Sequence, residues 1–332
     1  MKIGEVLAGR EERVVCLKPL YLDFDGTRMS PIFTIKNWRD SINYQPRPDD
    51  VFIATFPKCG TTWMQEITYL MLNDGKPPAN HLERLKNNPF IEITGADGPH
   101  HMKRPGCIKT HLPRNLVPYA EHAKYIYVLR NPKDCVVSYF HHQTKTFTAY
   151  DYADGQFEHF FELFMAGETE YNDYFTHLLS WYPQSKQKNT LLVHYEDLKN
   201  DPRAEILRVA KFMDINIYNK LLTTDLLLDK VVQGSSFDKM RADFANFEIP
   251  LEIIDNPNAG LTNFVAANAA QKVTDGSAIK IPGMVREGRT GGWKELLTPQ
   301  MEQRLERKIV EVLQPVCPEI VEKWRHYGVM SS

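Results

Sequence analysis

Hydrophobic and polar positions along the chain change period several times. Asp50 is followed by the apolar run Val51 to Phe56, whose β-branched and aromatic residues predict a buried strand. A turn-forming Pro57-Lys58-Cys59-Gly60 comes next. From Thr61 onward, Trp63, Ile67, Leu70 and Met71 recur at helical spacing until Asp74, Gly75 and Pro77-Pro78 stop the pattern. The same order of strand, tight loop and helix recurs at Lys124 to Arg130, where Asn131 caps and Pro132 opens the next helix. A third unit has a strand over Thr190 to Glu196, and Asp201 and Pro202 introduce a helix from Arg203 to Met213. Gly155 to Gly167 and Tyr171 to Tyr182 pattern as two amphipathic helices, their aromatic stripes reading as core. Cys107 to Thr110 is a short strand candidate running into a loop.

Strands alternating with helices predict right-handed crossovers and a parallel sheet covered on both faces, with ligands outside the carboxyl ends of the strands. The loops after Phe56 and Arg130 are therefore expected to face one crevice. The expected fold is a single α/β domain over residues 45–320, with a mainly five-stranded parallel sheet flanked by helices. Residues 1–44 are expected to be an N-terminal extension packing on it. Residues 248–282 lack strong periodicity and carry Pro250, Pro257, Gly260, Gly276 and Pro282, which predicts a long loop or lid over the site. Near the end, Thr298 caps and Pro299 opens a further amphipathic helix.

Charge narrows the functional classes. With a formal net charge of −2, the chain has no global positive field to hold nucleic acid or an anionic membrane without sequence preference. Any anion must be held locally. No apolar run approaches the ~20 residues of a membrane span, and Met1 to Arg10 do not pattern as a secretory leader. The 5 cysteines are scattered without Cys-x-x-Cys spacing, and no glycosylation sequon occurs, so a cytoplasmic location is expected. The histidine doublets His100-His101 and His141-His142 have no evident metal-ligand partners, and no metal is expected.

Two corners carry anion chemistry. At the first strand-to-helix turn, free backbone N–H groups and the helix dipole converge. Gly60 lets the backbone wrap close to an anion, Thr61 and Thr62 add hydroxyls, and Lys58 adds a charge. Read alone, this is equally an ordinary βα turn with a surface lysine. It is not a Walker A loop, because the lysine precedes the glycine. At the second corner, Arg130 ends a strand and offers a planar fork, with Ser138 on the following helix.

These segments resemble the motifs of the cytosolic sulfotransferase family. Phe56 to Trp63 is similar to that family's P-loop-like phosphosulfate-binding segment YPKSGTTW, with Phe56 for tyrosine and Cys59 for serine. The segment Arg130 to His141 is similar to its 3′-phosphate motif RNPKDxxVSYYH. The resemblance implies 3′-phosphoadenosine 5′-phosphosulfate (PAPS) as donor and PAP as product. In that reading Lys58, Cys59, Gly60, Thr61 and Thr62 hold the 5′ end, Trp63 packs on adenine, and Arg130 and Ser138 hold the 3′-phosphate. Lys109-Thr110-His111-Leu112-Pro113 matches the family's catalytic segment, which implies His111 as general base with Lys109 and Lys58 stabilising the transferring sulfonate. Tyr195 matches the YEDL tyrosine that meets adenine, and Ser235, Ser236 and Phe237 match further adenine and ribose contacts.

Departures from the pattern matter as well. The RKGxxGDWK motif appears as Arg286 to Lys294, with Arg286 and Gly288 kept, Glu287 for lysine and Gly292 for aspartate. A carboxylate at Glu287 threatens to repel a phosphate unless Arg289 compensates. The dimer motif KxxxTVxxxE has Pro299 for valine and Gln303 for glutamate, so a homodimer is not assured. Phe140 and His142 are expected beside the acceptor with Lys109 and His111, and His142 stands where phenylalanine is frequent. The expected activity is sulfonate transfer to the hydroxyl or amine of a small acceptor, such as a phenol or catechol-type monoamine, ranked above bulky steroids. The rival readings are a phosphoryl transferase, against which the missing Walker A lysine counts, and a nucleotide- or ligand-sequestering protein, against which His111 and Lys58 count.

Overall fold

The computed structural model describes residues 18–245, 247–250 and 278–331. Four parallel strands form the centre: β1 (Val51–Thr55), β2 (Cys107–Thr110), β3 (Lys124–Leu129) and β4 (Thr190–His194), in the order β2-β1-β3-β4. The α/β class with a parallel sheet flanked by helices is thus as expected, with four strands rather than five among the described residues. An isolated parallel bridge between Phe90 and Lys109 adds one rung beyond β2, where the Lys109 N–H donates to the Pro89 carbonyl at 2.9 Å. The chain between β1 and β2 is folded mostly into short helices, so it contributes a rung rather than a strand.

Alternation along the strands separates two cores. Phe52, Ala54, Tyr125, Tyr127 and Leu129 face one, and Ile53, Ile126, Val128 and Val193 face the other. The helix Thr61–Leu72 buries Met64, Ile67, Leu70 and Met71 against the second. Phe24, Trp38 and Tyr44 from the N-terminal side join the first, as do Leu305, Ile309 and Trp324 near the other end.

Local chemistry sets most of the boundaries. Asn131 caps the helix Pro132–Lys145 by accepting from the Asp134 N–H, and Asp201 caps Pro202–Met213 through the Ala204 N–H. Thr298 caps Pro299–Leu313 through the Met301 N–H. Two expectations shift. The strand expected to reach Glu196 ends at His194, because Tyr195–Asn200 is helical with Glu196 and Asp197 in its first turn, where the helix dipole favours acids. The helix expected from Tyr171 starts at Tyr174, after Tyr171 and Asn172 at φ 61° and 63° and an Asp173 cap. Most of the expected lid, 251–277, lies outside the described residues. Its flanks Glu248–Pro250 and Ala278–Lys280 pair antiparallel.

Register places the site. Val51 lies opposite both Cys107 and Lys124, and Leu129 lies opposite His194, so all four strands end at one edge. The chain leaves β1 for β2 on one side and β3 is added on the other, which opens a crevice at the carboxyl ends of β1 and β3.

The helix Pro132–Lys145 at that edge is tied to the helix Pro299–Leu313 by Lys133. Its fully buried ammonium donates to Glu302 at 2.7 Å and Glu306 at 2.6 Å, and lies 4.2 Å from the Trp293 ring centre. Removing this cation leaves two carboxylates facing each other. Lys133→Met is therefore expected to cost about 3 kcal/mol, read as a lower urea midpoint at unchanged slope, and an unchanged midpoint would show that the triad contributes nothing net.

Candidate active site

Gly60 caps the helix Thr61–Leu72 at φ 106°, and a Cβ there would lie 2.8 Å from the Tyr195 ring. Only glycine suits both the left-handed backbone and the close approach. Lys58 also has positive φ, 69°, so the loop turns twice within three residues, and the Cys59 N–H closes it on the Phe56 carbonyl at 3.3 Å. Thr61, Thr62 and Trp63 line the resulting cavity of about 380 Å³ with Lys58 and Gly60. Cys59 does not line it. Its thiol lies 3.8 Å from the Cys135 Sγ, inside the core.

Arg130 leaves β3 into the same cavity. Its guanidinium donates to the Lys58 carbonyl at 3.2 Å and the Arg289 carbonyl at 3.0 Å, and its centre lies 4.5 Å from the Tyr195 ring centre. The buried Nε has no partner among the described residues, so donor capacity remains. Ser138 lies one and a half turns along the next helix, also on the cavity wall. Trp63 meets the Tyr195 ring edge-on at 5.3 Å, and Gly288, at φ 58°, packs so tightly on Phe237 that a Cβ would lie 2.1 Å from its ring. Ser235 reaches the cavity wall, but its hydroxyl donates to the Val231 carbonyl at 2.7 Å. Ser236 instead caps the helix Phe237–Asp243.

The carboxylate of Glu287 is neutralised where it stands. Arg286 pairs with one oxygen and the Arg289 Nε donates to the other at 2.8 Å. Burial alone would raise its pKa, but these two arginines hold it below the ordinary value. The concern raised by the sequence is met by Arg289, which Glu295 also holds.

At the end of β2, Lys109 and His111 face the same cavity. Lys109 lies 3.8 Å from the Phe90 ring centre. Burial pushes its pKa down to about 8 against the pull of Glu92 and Glu170. Lys58 is also pushed down to about 8, by burial and then by the charges of Lys109 and Arg130. His111 is wedged edge-on between Phe90 and Tyr171, and its Nδ1 lies 2.8 Å from the Thr55 carbonyl. A carbonyl only accepts, so Nδ1 carries the proton and Nε2 has the free lone pair. Burial, then Lys109, lowers its pKa well below the usual histidine value, which keeps it neutral. Glu92 anchors the segment by accepting the His111 N–H at 2.6 Å.

His142 lines the cavity and accepts from the Lys58 Nζ at 3.4 Å, whereas Phe140 packs on Phe157 and Phe160 in the core. Sequence reading missed Tyr171, Glu170, Phe147 and Thr55. No acid occurs between Ser138 and Tyr150, yet the fold supplies Glu170 to this wall, held by the Ser30 N–H and the Tyr139 and Tyr150 hydroxyls. The available signal was Asn172-Asp173, a cap that ends a loop just after them. No His/Cys/Asp/Glu group suited to a metal occurs among the described residues.

The Sulfotransferase domain family matches residues 48–316, which contain all of the cavity lining from Pro57 to Gly292, with Ile32 and Phe33 lying before it. The chain belongs to the sulfotransferase family. It is accordingly a PAPS-dependent sulfotransferase. Human sulfotransferase 1C2 is 31% identical over 294 residues, covering 86% of this chain and 89% of that protein. Rat sulfotransferase 1 family member D1 is 31% identical, covering 84% and 88%. Among solved structures, mouse sulfotransferase SULT7A1 complexed with PAP superposes with a TM-score of 0.65 at 23% identity, covering 92% of this chain and 99% of that one. Retinol dehydratase in complex with androsterone and the inactive cofactor PAP gives 0.61 at 22% identity, covering 89% of each. These likenesses support the fold of this sulfotransferase. No helix among the described residues is long and apolar enough to cross a membrane.

Because the Gly60 position demands both positive φ and absence of a Cβ, Gly60→Ala is expected to destabilise this sulfotransferase by about 1–3 kcal/mol. Urea unfolding measures the loss, and a variant as stable as the parent would show that the loop relaxes freely.

Proposed function

We propose that PAPS lies along the crevice with its 5′ end on Lys58, Gly60, Thr61 and Thr62, and its 3′-phosphate on Arg130 and Ser138. Trp63, Tyr195 and Phe237 would enclose the adenine, and Arg286, Gly288 and the neutralised Glu287 would close the 3′ side. His111 takes the acceptor proton on Nε2, while Lys58 and Lys109 meet the charge that spreads over the transferring sulfonate and the oxygen it leaves. The observation that carries this reading is the convergence of one neutral imidazole and three cations on one cavity wall at the carboxyl ends of β1, β2 and β3. The unpartnered Arg130 Nε suits an anion at the 3′ end.

The acceptor wall is mostly aromatic, with Phe33, Phe90, Phe147, Tyr150 and Tyr171, and its polar members are His142 and Glu170. Flat rings stack well in such a wall. We therefore assign a small phenol or catechol-type monoamine as acceptor, and a homodimer is not required for the site. The described cysteines Cys59, Cys107, Cys135 and Cys317 are buried free thiols, in keeping with a reducing cytosol.

His111→Ala should lower kcat by ~10²–10⁴-fold while calorimetry shows PAP binding retained. A folded variant with near-normal kcat would remove His111 from the proton transfer. Burial holds Lys58 and Lys109 near pKa 8, with the charges of Lys109 and Arg130 adding to it at Lys58, and an anion beside them raises both values. Above about pH 8 the free lysines are partly neutral, so binding takes up protons there and ceases to do so below about pH 7. Calorimetry of PAP binding in buffers of different ionisation enthalpy measures the uptake, and proton release at pH 8.5 would contradict the placement of the two lysines.

A further inference from the structure

We propose that Thr55 is a positioning residue that couples the proton state of His111 to the anion held by the loop, through a chain of hydrogen bonds that all point one way. The proposal rests on the assignment of His111 as base and of Thr61 as a contact of the donor's 5′ end. Thr55 is the last residue of β1, completely buried, and both its oxygens are committed. Its carbonyl accepts the His111 Nδ1–H at 2.8 Å, and its hydroxyl oxygen lies 3.0 Å from the same nitrogen. That hydroxyl also lies 2.6 Å from the Thr61 Oγ1.

The direction of each bond follows from what each atom can do. Nδ1 carries a proton because a carbonyl faces it, so toward Nδ1 the Thr55 hydroxyl oxygen is an acceptor. Its own proton is then free for the Thr61 Oγ1. Thr61 in turn keeps its proton for the cavity, where it lines the wall. Without a ligand the two hydroxyls could exchange roles. An anion at the loop only accepts, so it selects the order Nδ1–H to Thr55, Thr55 to Thr61, Thr61 to anion. The edge contacts of Phe90 and Tyr171 stop the ring from turning away, and His111 Nε2 makes no hydrogen bond among the described residues.

The consequence appears during transfer. The bond between the acceptor oxygen and sulfur forms, and the bond from sulfur to the 5′-phosphate oxygen breaks with its electron pair left on that phosphate. The acceptor proton goes to His111 Nε2. The ring becomes positive while the 5′-phosphate gains negative charge, and no proton travels along the chain. A positive ring makes Nδ1–H a stronger donor, which polarises Thr55 and then Thr61 toward the phosphate as its charge grows. Both ends of the chain thus strengthen in the same step.

The test uses the full chain labelled with ¹⁵N-histidine and titrated with PAP. In the parent, His111 should show a protonated Nδ1 and a bare Nε2, with PAP shifting the Nδ1 resonance. Thr55→Val keeps the carbonyl and removes the hydroxyl. It should lose the PAP-induced shift, bind PAP with a Kd raised up to roughly 10-fold, and lower kcat by roughly 10-fold with PAPS and 2-naphthol. Thr55→Ser should restore all three. If Thr55→Val does not fold, Thr61→Val cuts the chain from its other end and should also abolish the shift. A His111 Nδ1 that ignores PAP in the parent, or responds alike in the parent and in the valine variants, overturns the coupling. Failure of the underlying reading looks different: His111→Ala would keep its turnover, or Thr61→Val would bind PAP as the parent does.

Discussion

One buried side-chain amide holds the crevice in register. Asn131 Oδ1 accepts the Asp134 N–H, and its Nδ2 donates to Asp134 at 2.9 Å and to Glu196 at 2.8 Å. The Asn131 N–H donates to the same Glu196 oxygen at 2.9 Å. Asp134 then accepts the N–H groups of Gly291 at 3.0 Å and Trp293 at 3.2 Å. Three segments distant in sequence, those after β3 and β4 and the turn at Arg286 to Lys294, are joined through Asn131 and the Asp134 it binds. A buried polar cluster with one member missing leaves unpaired groups in low dielectric, so its loss would be felt in all three segments together.

Around that knot the sulfotransferase accumulates like charge. Lys58, Lys109, Arg130 and Arg286 line one cavity, and each of the two lysines has its ionisation weakened by burial. The fold tolerates this because carboxylates stand behind the cations. Glu92 and Glu170, both raised to about 7 by burial, offset Lys109 from the core side, while Glu287 and Glu295 sit among the arginines at the mouth. An anion placed in the crevice completes a charge pattern that is otherwise unbalanced.

Much of this architecture was legible because it is local. A strand, a glycine turn and a helix occupy adjacent residues, so periodicity and cap chemistry reveal Val51 to Leu72 and Lys124 to Lys145. The motif resemblance added order and family. What could not be read depends on tertiary geometry. Thr55 looks like any strand-terminal threonine until His111 and Thr61 are brought to it. Glu170 is remote in sequence from the helix it serves, and Phe140, one residue from His141, turns to the core because helical neighbours point about 100° apart. Glu287 read as a hazard because a string of letters does not show two guanidinium groups folding onto one carboxylate. Ser235 read as a ligand contact, although its hydroxyl is spent on the preceding helical turn.

The tie between Lys133 and the carboxylates Glu302 and Glu306 also bears on how the protein is made. All four strands of the parallel sheet have been synthesised by His194, and the sheet can begin to assemble once they emerge from the ribosome. The turn at Arg286 to Lys294 and the helix that clamps Lys133 arrive roughly a hundred residues later. Until they do, Lys133 is an unpaired cation beside a half-built wall, and Asp134 lacks the Gly291 and Trp293 N–H groups. The nascent chain therefore passes through an interval in which the four strands of the sheet exist while the cavity wall at Arg286 to Arg289, and the part of the first core supplied by Leu305, Ile309 and Trp324, are still missing.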